Sequence, residues 1–217
     1  MPSETLEEYL EAIYKLGQRG PVRPAQLAEA MSVSAPTVTN TLKRLAARGL
    51  VDRQGTTVVL TSEGLAAAVD VIRRHRVAER FLADILGLKW DEIHEEACRL
   101  EHALSPRVLE AMERVLGDPE ACPHGHPIPT SEGHVFTAAG IPLAELQPGQ
   151  RAVVVRVAEE DEAMLGYLGE LELFPGAIVC LVEAAPFSGP LTIEIAERQR
   201  SVGPEVARAV TVVPLVD

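Results

Sequence analysis

The sequence predicts a mostly α-helical chain that ends in a small β domain, and three observations predict it. Apolar residues recur with the 3.6-residue helical period over most of residues 4–116, and the spacing falls to a two-residue period beyond residue 150. The stretch between them, 117–149, is rich in Gly, Pro and His and reads as a linker. With 217 residues, 47% of them hydrophobic and 24% charged, the chain can hold one large core or two to three small ones.

The first helix is expected over 4–18, where Leu6, Tyr9, Leu10, Ile13, Tyr14 and Leu16 form an apolar stripe and Ser3 stands at the cap position. Arg19-Gly20-Pro21 ends it. Pro24 opens a short helix over 25–31, Ser32-Val33 forms a turn, and Ser34 caps a longer helix over 35–48 that Gly49 closes. Short helix, tight turn and longer helix make a helix-turn-helix. The segments 50–53 and 56–61, joined around Gln54-Gly55, read as the two strands of a wing. Ser62 then opens a long helix over 63–86, with Val69, Ile72, Val77, Phe81, Leu82 and Ile85 mostly on one face. Further helices are expected over 90–103 and 106–116, the latter started by Pro106 at its first turn. In the last part, 151–158, 177–183, 191–196 and 209–215 read as strands with one short helix over 162–171, a small β-barrel. The domains expected are 1–62, 63–140 and 141–217.

No apolar run approaches the roughly 20 residues of a membrane helix, and the acidic amphipathic N-terminus is unlike a signal peptide, so a cytoplasmic protein without membrane contact is expected. Cys98, Cys122 and Cys180 are scattered, which excludes a disulfide framework and a four-cysteine zinc site. The net charge of −12 is uneven: residues 1–75 hold nine Lys/Arg against eight Asp/Glu, and the remainder eleven against twenty-four. A near-neutral helix-turn-helix joined to an acidic body binds DNA through a few placed contacts rather than bulk attraction.

On a helix, His94, Cys98, Glu101 and His102 fall at i, i+4, i+7 and i+8, one stripe of four metal-binding side chains. Imidazole, thiolate and carboxylate together suit a borderline or moderately hard first-row ion. His75 and Glu79 repeat the i,i+4 spacing upstream. A lone pair of this kind is usually a solvated helix face, but six such residues on two neighbouring helices point to metal.

Several motifs now coincide in order: Glu-Glu-Tyr-Leu-Glu-Ala-Ile-Tyr at 7–14, Ser-Ala-Pro-Thr-Val-Thr at 34–39, Arg-Arg-His-Arg-Val-Ala-Glu-Arg-Phe-Leu at 73–82, the 94–102 stripe, and Gly-His-Pro-Ile-Pro at 125–129. In these the whole chain resembles the diphtheria-toxin-repressor family of bacterial iron- and manganese-dependent regulators. The resemblance implies a winged helix-turn-helix, a helical dimerisation and metal-binding domain, and an SH3-like barrel. It implies a homodimeric, metal-activated repressor of manganese or iron homeostasis genes that binds double-stranded DNA at an inverted repeat. It also splits the ligands. A primary site takes Cys98, Glu101 and His102 with Glu8 and Glu11 of the first helix; an ancillary site takes His75, Glu79 and His94, with Asp161 from the acidic run at 159–162 and Met164 nearby. Well-known iron members carry Met where this chain has Glu8, and a carboxylate there hardens the site toward Mn²⁺, with Fe²⁺ the alternative. Cys122, His124 and His126 look metallic, but similar linker sequences in the family are structural, and these three are not counted as ligands.

For DNA, the second helix of the motif enters the major groove by its first turn. Its candidate contacts are Ser34, Ala35, Pro36, Thr37, Thr39 and Asn40, with Lys43 and Arg44 supplying charge for the backbone. Arg48 and Arg53 extend that charge. A metallohydrolase is the rival from another class, but no His-Glu-x-x-His or Gly-x-Ser-x-Gly motif is present. A regulator that senses a small organic ligand is the other alternative.

Overall fold

The computed structural model describes residues 3–130, 132–135, 139–158 and 162–215. They form two compact units, one of residues 1–74 with 129–135 and one of 75–128 with 136–217.

In the first unit, α1 (Glu4–Gly17), α2 (Pro24–Ala30) and α3 (Ala35–Ala47) are followed by β1 (Val51–Gln54) and β2 (Thr57–Leu60) and by the start of α4 (Ser62–Asp84). The apolar stripe of α1 is buried, with Leu6, Tyr9, Leu10 and Ile13 packed against Leu27 of α2 and Val38, Leu42 and Leu45 of α3. Each such side chain, once buried, stabilises the fold by about 1.5–3 kcal/mol. Ser3 holds the cap position of α1 without a side-chain bond, whereas Ser34 accepts the Thr37 backbone N–H at α3. The wing strands pair antiparallel from Val51↔Leu60 to Gln54↔Thr57, and the Val58 N–H donates to the Val22 carbonyl, tying the wing to the segment before α2. α4 can begin beside β1 only because residue 64 is glycine: a Cβ there would lie 1.8 Å from the Leu50 carbonyl oxygen. α1 is also fixed by charge, since Glu7 and Arg74 are both buried and pair at 3.1 Å, with Arg74 3.2 Å from Asp70.

The second unit holds the end of α4, then α5 (Ile93–Glu101) and α6 (Pro106–Leu116). Val77, Ala78 and Leu82 of α4 pack with Ile93 and Ala97 of α5, Leu109 and Met112 of α6, and Ile128. Ile85, expected on the buried face, lies beyond the end of α4 and is 46% exposed. α5 starts at Ile93 rather than Trp90, because Trp90 is engaged in tertiary contacts described below. The barrel comprises β3 (Ile141–Pro142), a 3-10 turn at Leu143–Glu145, β4 (Arg151–Val157), α7 (Glu162–Glu170), β5 (Ile178–Ala184), β6 (Leu191–Ile195), β7 (Arg198–Val202), α8 (Pro204–Ala209) and β8 (Val210–Pro214). Its strands run β3-β8-β4-β5-β6-β7, each neighbouring pair antiparallel. Inward residues Val154, Leu165, Leu168, Val179, Leu181, Ile193 and Val212 form its core. The periodicity does not announce β3, β7 or α8: β3 is too short, β7 alternates arginine with polar residues, and α8 is brief.

Candidate metal centre

α4 and α5 carry the predicted donors, and their packing through Ile93 and Ala97 turns the polar stripes toward each other. His75 and Glu79 are one turn apart on α4 and buried; His94 and Cys98 are one turn apart on α5, with Cys98 at the exposed side. His75 Nδ1 lies 2.6 Å from Glu101 Oε2, while its Nε2 lies 3.1 Å from both Glu79 Oε1 and His94 Nδ1. Cys98 Sγ is 4.0 Å from His75 Nδ1 and 3.8 Å from His94 Nε2. One donor atom from each of His75, His94 and Cys98 falls within 4.8 Å of the others, the span of a metal's coordination shell. Glu101 also reaches His102, Oε1 to Nε2 at 3.2 Å.

The structure thus gathers Cys98 with the two histidines of α4 and α5, links Glu101 to them through His75, and links His102 through Glu101. Glu8 is exposed on α1, and Glu11 pairs with Lys15 at 3.2 Å. Asp161 lies outside the described residues, and Met164 stands on α7 against the barrel core.

A second group adds two residues, Cys122 and His124, that were not among the expected ligands. Glu79, Cys122 and His124 are all buried, and one donor atom of each lies within 4.8 Å of the others. His124 Nδ1 is 3.2 Å from Glu79 Oε1 yet not aligned for a hydrogen bond, and both His124 Nδ1 and Glu79 Oε2 are buried without a hydrogen-bond partner. Buried polar atoms left this way are costly in a folded chain, so an electron-pair acceptor is the partner they fit. The carboxylate, thiol and imidazole suit a divalent first-row ion. Glu79 lies between the two groups. Cys122 and His124 stand far from α4 in sequence, and only the folded linker brings them there.

The electrostatics favour charged imidazoles beside an ionised Glu79. Burial pushes the His75 pKa down, but the Glu79 charge and bonds to Cys98 and Glu101 raise it well above the usual imidazole value. Burial raises Glu79, yet the His75 charge and the bonds from the imidazoles around it together offset this and hold the carboxyl well below the usual range. Desolvation lowers His94, but bonds to Cys98 and Glu79 bring it up to about 9. Desolvation raises Cys98, and its bonds to His75 and His94 reverse that, leaving the thiol more acidic than usual. In the metal-free chain, the charged His94 therefore stabilises the fold fully below its ordinary pKa near 6.5, and that contribution fades as the pH rises through about 9. Metal binding has the opposite dependence, because an ion must displace those protons. From pH 7.5 to pH 6 the apparent metal affinity is expected to fall about 30-fold for each proton displaced. Competition against a chelator of known affinity measures this, and a flat response would remove these histidines from the site.

The DNA-facing candidates sit together on α3. Ser34, Ala35, Pro36, Thr37, Asn40, Lys43 and Arg44 are exposed and Thr39 is half-buried, its hydroxyl donating to the Ala35 carbonyl at 3.0 Å. The Ser34 and Thr37 hydroxyls are 2.8 Å apart. Val38, Leu42 and Leu45 on the other face bury the helix, which leaves its first turn free for a groove.

Three family models match in order along the chain: iron dependent repressor, N-terminal DNA binding domain, at residues 1–58; iron dependent repressor, metal binding and dimerisation domain, at 61–130; and the FeoA domain at 141–214. The iron-dependent repressor IdeR of Mycobacterium tuberculosis (strain ATCC 25618 / H37Rv) is 39% identical over 228 residues, covering 96% of each chain. The diphtheria toxin repressor of Corynebacterium diphtheriae is 42% identical over 132 residues, 58% of this chain and 57% of that one. A manganese-dependent transcriptional repressor solved in complex with manganese superposes with a TM-score of 0.91 at 34% identity, covering 97% of this chain and 100% of the other. ScaR with bound Cd²⁺ superposes at 0.84 and 30% identity, over 99% and 100%. Among the described residues no helix is long and apolar enough to cross a membrane. Neither a hydrolase nor a sensor of small organic ligands finds support here, and the chain belongs to the diphtheria-toxin-repressor family of metal-dependent transcriptional repressors, which are DNA-binding proteins and not enzymes.

Proposed function

We propose that this repressor is activated by Mn²⁺, with Fe²⁺ the alternative, and that as a cytoplasmic homodimer it binds inverted-repeat operators of manganese or iron homeostasis genes. The observation that carries the reading is the gathering of His75, His94 and Cys98 on α4 and α5, with Glu79 beside them, in a chain whose α3 exposes a polar first turn. The manganese-bound relative supports Mn²⁺, and the iron-dependent repressors keep Fe²⁺ in view. Contact with DNA through Ser34, Ala35, Pro36, Thr37, Thr39, Asn40, Lys43 and Arg44 follows from their place on the second helix of the helix-turn-helix, where all but the half-buried Thr39 are exposed. The domain division 1–62, 63–140 and 141–217 is part of the same reading.

His75, Glu79 and His94 are the proposed ancillary ligands, with Asp161 as a further donor, and the buried Glu79, Cys122 and His124 form a second position next to them. Glu8 and Glu11 with Cys98, Glu101 and His102 are the proposed primary ligands, carried over from the family by sequence. An ion supplies positive charge that joins carboxylates which would otherwise repel one another. If the DNA-competent arrangement binds metal 100-fold better, each site shifts the equilibrium by about 2.8 kcal/mol, enough for a switch. Equilibrium dialysis of the apo chain tests the reading: saturable Mn²⁺ or Fe²⁺ binding is expected, and no binding of either contradicts it. Glu8→Met is expected to move the ratio of Mn²⁺ to Fe²⁺ activation toward iron on the order of tenfold. An unchanged ratio in DNA-binding titrations would reject the hardness argument.

A further inference from the structure

The buried Glu79–Cys122–His124 group is held by neighbours that no ligand set includes. His124 Nε2 lies 3.0 Å from the Trp90 carbonyl oxygen, an acceptor with no proton to give, so Nε2 must carry the hydrogen of that bond. In a neutral ring this leaves the lone pair on Nδ1, the atom that lies 3.2 Å from Glu79. The Trp90 indole N–H in turn donates to the Pro123 carbonyl at 3.2 Å, gripping the residue between Cys122 and His124. The indole ring meets the His124 ring edge-on at 4.9 Å and the Phe174 ring at 5.0 Å, so it is clamped between the linker and the barrel. β4 holds the same loop from another side. The Val157 N–H donates to the His124 carbonyl, the Val157 carbonyl lies 2.8 Å from His126 Nε2, and a Cβ on Gly125 would sit 2.0 Å from the Val155 carbonyl oxygen.

We propose that Trp90 is the positioning residue of this buried group: its carbonyl selects the His124 tautomer that turns Nδ1 toward Glu79, and its indole N–H holds the Cys122–His124 loop in place. The inference rests on the reading that the group binds a divalent metal. Outer contacts of this kind orient a ligating imidazole, and their loss typically lowers metal affinity 10–100-fold.

The test uses the full chain, ¹⁵N-labelled at histidine, with Zn²⁺ as a diamagnetic probe. His124 is assigned by comparison with His124→Gln. The expected spectrum has zinc on Nδ1 and a proton on Nε2. Zinc on Nε2 overturns the inference and leaves metal binding standing; no zinc-induced shift at His124 overturns both. Trp90→Phe keeps the ring packing but loses the N–H, and in a Cys98→Ala background it is expected to weaken Zn²⁺ at this position about tenfold. An unchanged affinity overturns the grip assigned to the indole. Because the nitrogen that holds zinc is read in the unaltered chain, poor folding of a variant cannot hide the answer.

Discussion

Cys98→Ala is expected to lower the metal affinity of the α4–α5 site by at least about 100-fold and to abolish metal-activated DNA binding, while the chain stays folded. The sulfur is within 4.0 Å of both imidazoles, and those contacts make the thiol unusually acidic, which favours the thiolate a metal requires. Its removal takes away the anionic donor of the group formed with His75 and His94. The side chain is exposed, so little packing is lost and the melting temperature should hardly change. Metal titrations followed by DNA binding and by thermal melting separate the two effects. A Cys98→Ala chain that is still activated by the same metal concentration would exclude Cys98 as a ligand.

Glu7→Ala is expected to destabilise the helix-turn-helix unit by about 3 kcal/mol, the lower part of the cost of breaking a buried ion pair, because Arg74 still has Asp70 within 3.2 Å. For a protein of this size that corresponds to a melting temperature lower by roughly 6–12 °C. The guanidinium is 4% exposed, and without Glu7 water cannot easily solvate it. The pair Glu7→Leu with Arg74→Met should recover most of the loss, since two apolar side chains replace two desolvated charges. A melting temperature within about 1 °C of the parent after Glu7→Ala would show that the bridge contributes little.

Glu7 also shows where sequence reading reaches its limit. Its neighbours Glu8 and Glu11 attract notice because the family resemblance makes them ligands, yet Glu7 is the carboxylate that α1 buries, on the same side as Leu6 and Leu10. Helical period alone does not say that an arginine of α4 stands opposite. The helices themselves were legible because their apolar spacing is local: α1, α3 and α6 end within a residue or so of the expected bounds, and Ser34, Ser105 and Gly117 cap as their chemistry requires. α5 departs by three residues, since the Trp90 backbone carbonyl accepts from His124 instead of from a helical N–H, and the indole N–H donates to the Pro123 carbonyl. β7 escapes the sequence pattern for a comparable reason. Its Arg198-Gln199-Arg200 sequence suits an edge strand, whose stability comes from pairing with β6 rather than from its own hydrophobicity.

The site divides along the same line. His75, Glu79, His94 and Cys98 were readable because i,i+4 spacing places donors on one helical face, and two such faces pack together. Cys122 and His124 read as structural because similar linker sequences in the family are so, and their approach to Glu79 depends on the whole linker being laid against β4 and Trp90. What reveals them is a property no sequence displays: two buried polar atoms, Glu79 Oε2 and His124 Nδ1, left without hydrogen-bond partners.

The most direct test is an anaerobic titration of DNA binding at fixed salt, with Mn²⁺ and Fe²⁺ compared side by side on a promoter of a metal-uptake operon from the same genome. Tight binding that appears only with metal, and is reversed by a chelator, is the predicted result, with Mn²⁺ acting at the lower concentration. Equal binding with and without metal would reduce His75, Glu79, His94, Cys98, Glu101 and His102 to structural residues and contradict the proposed switch.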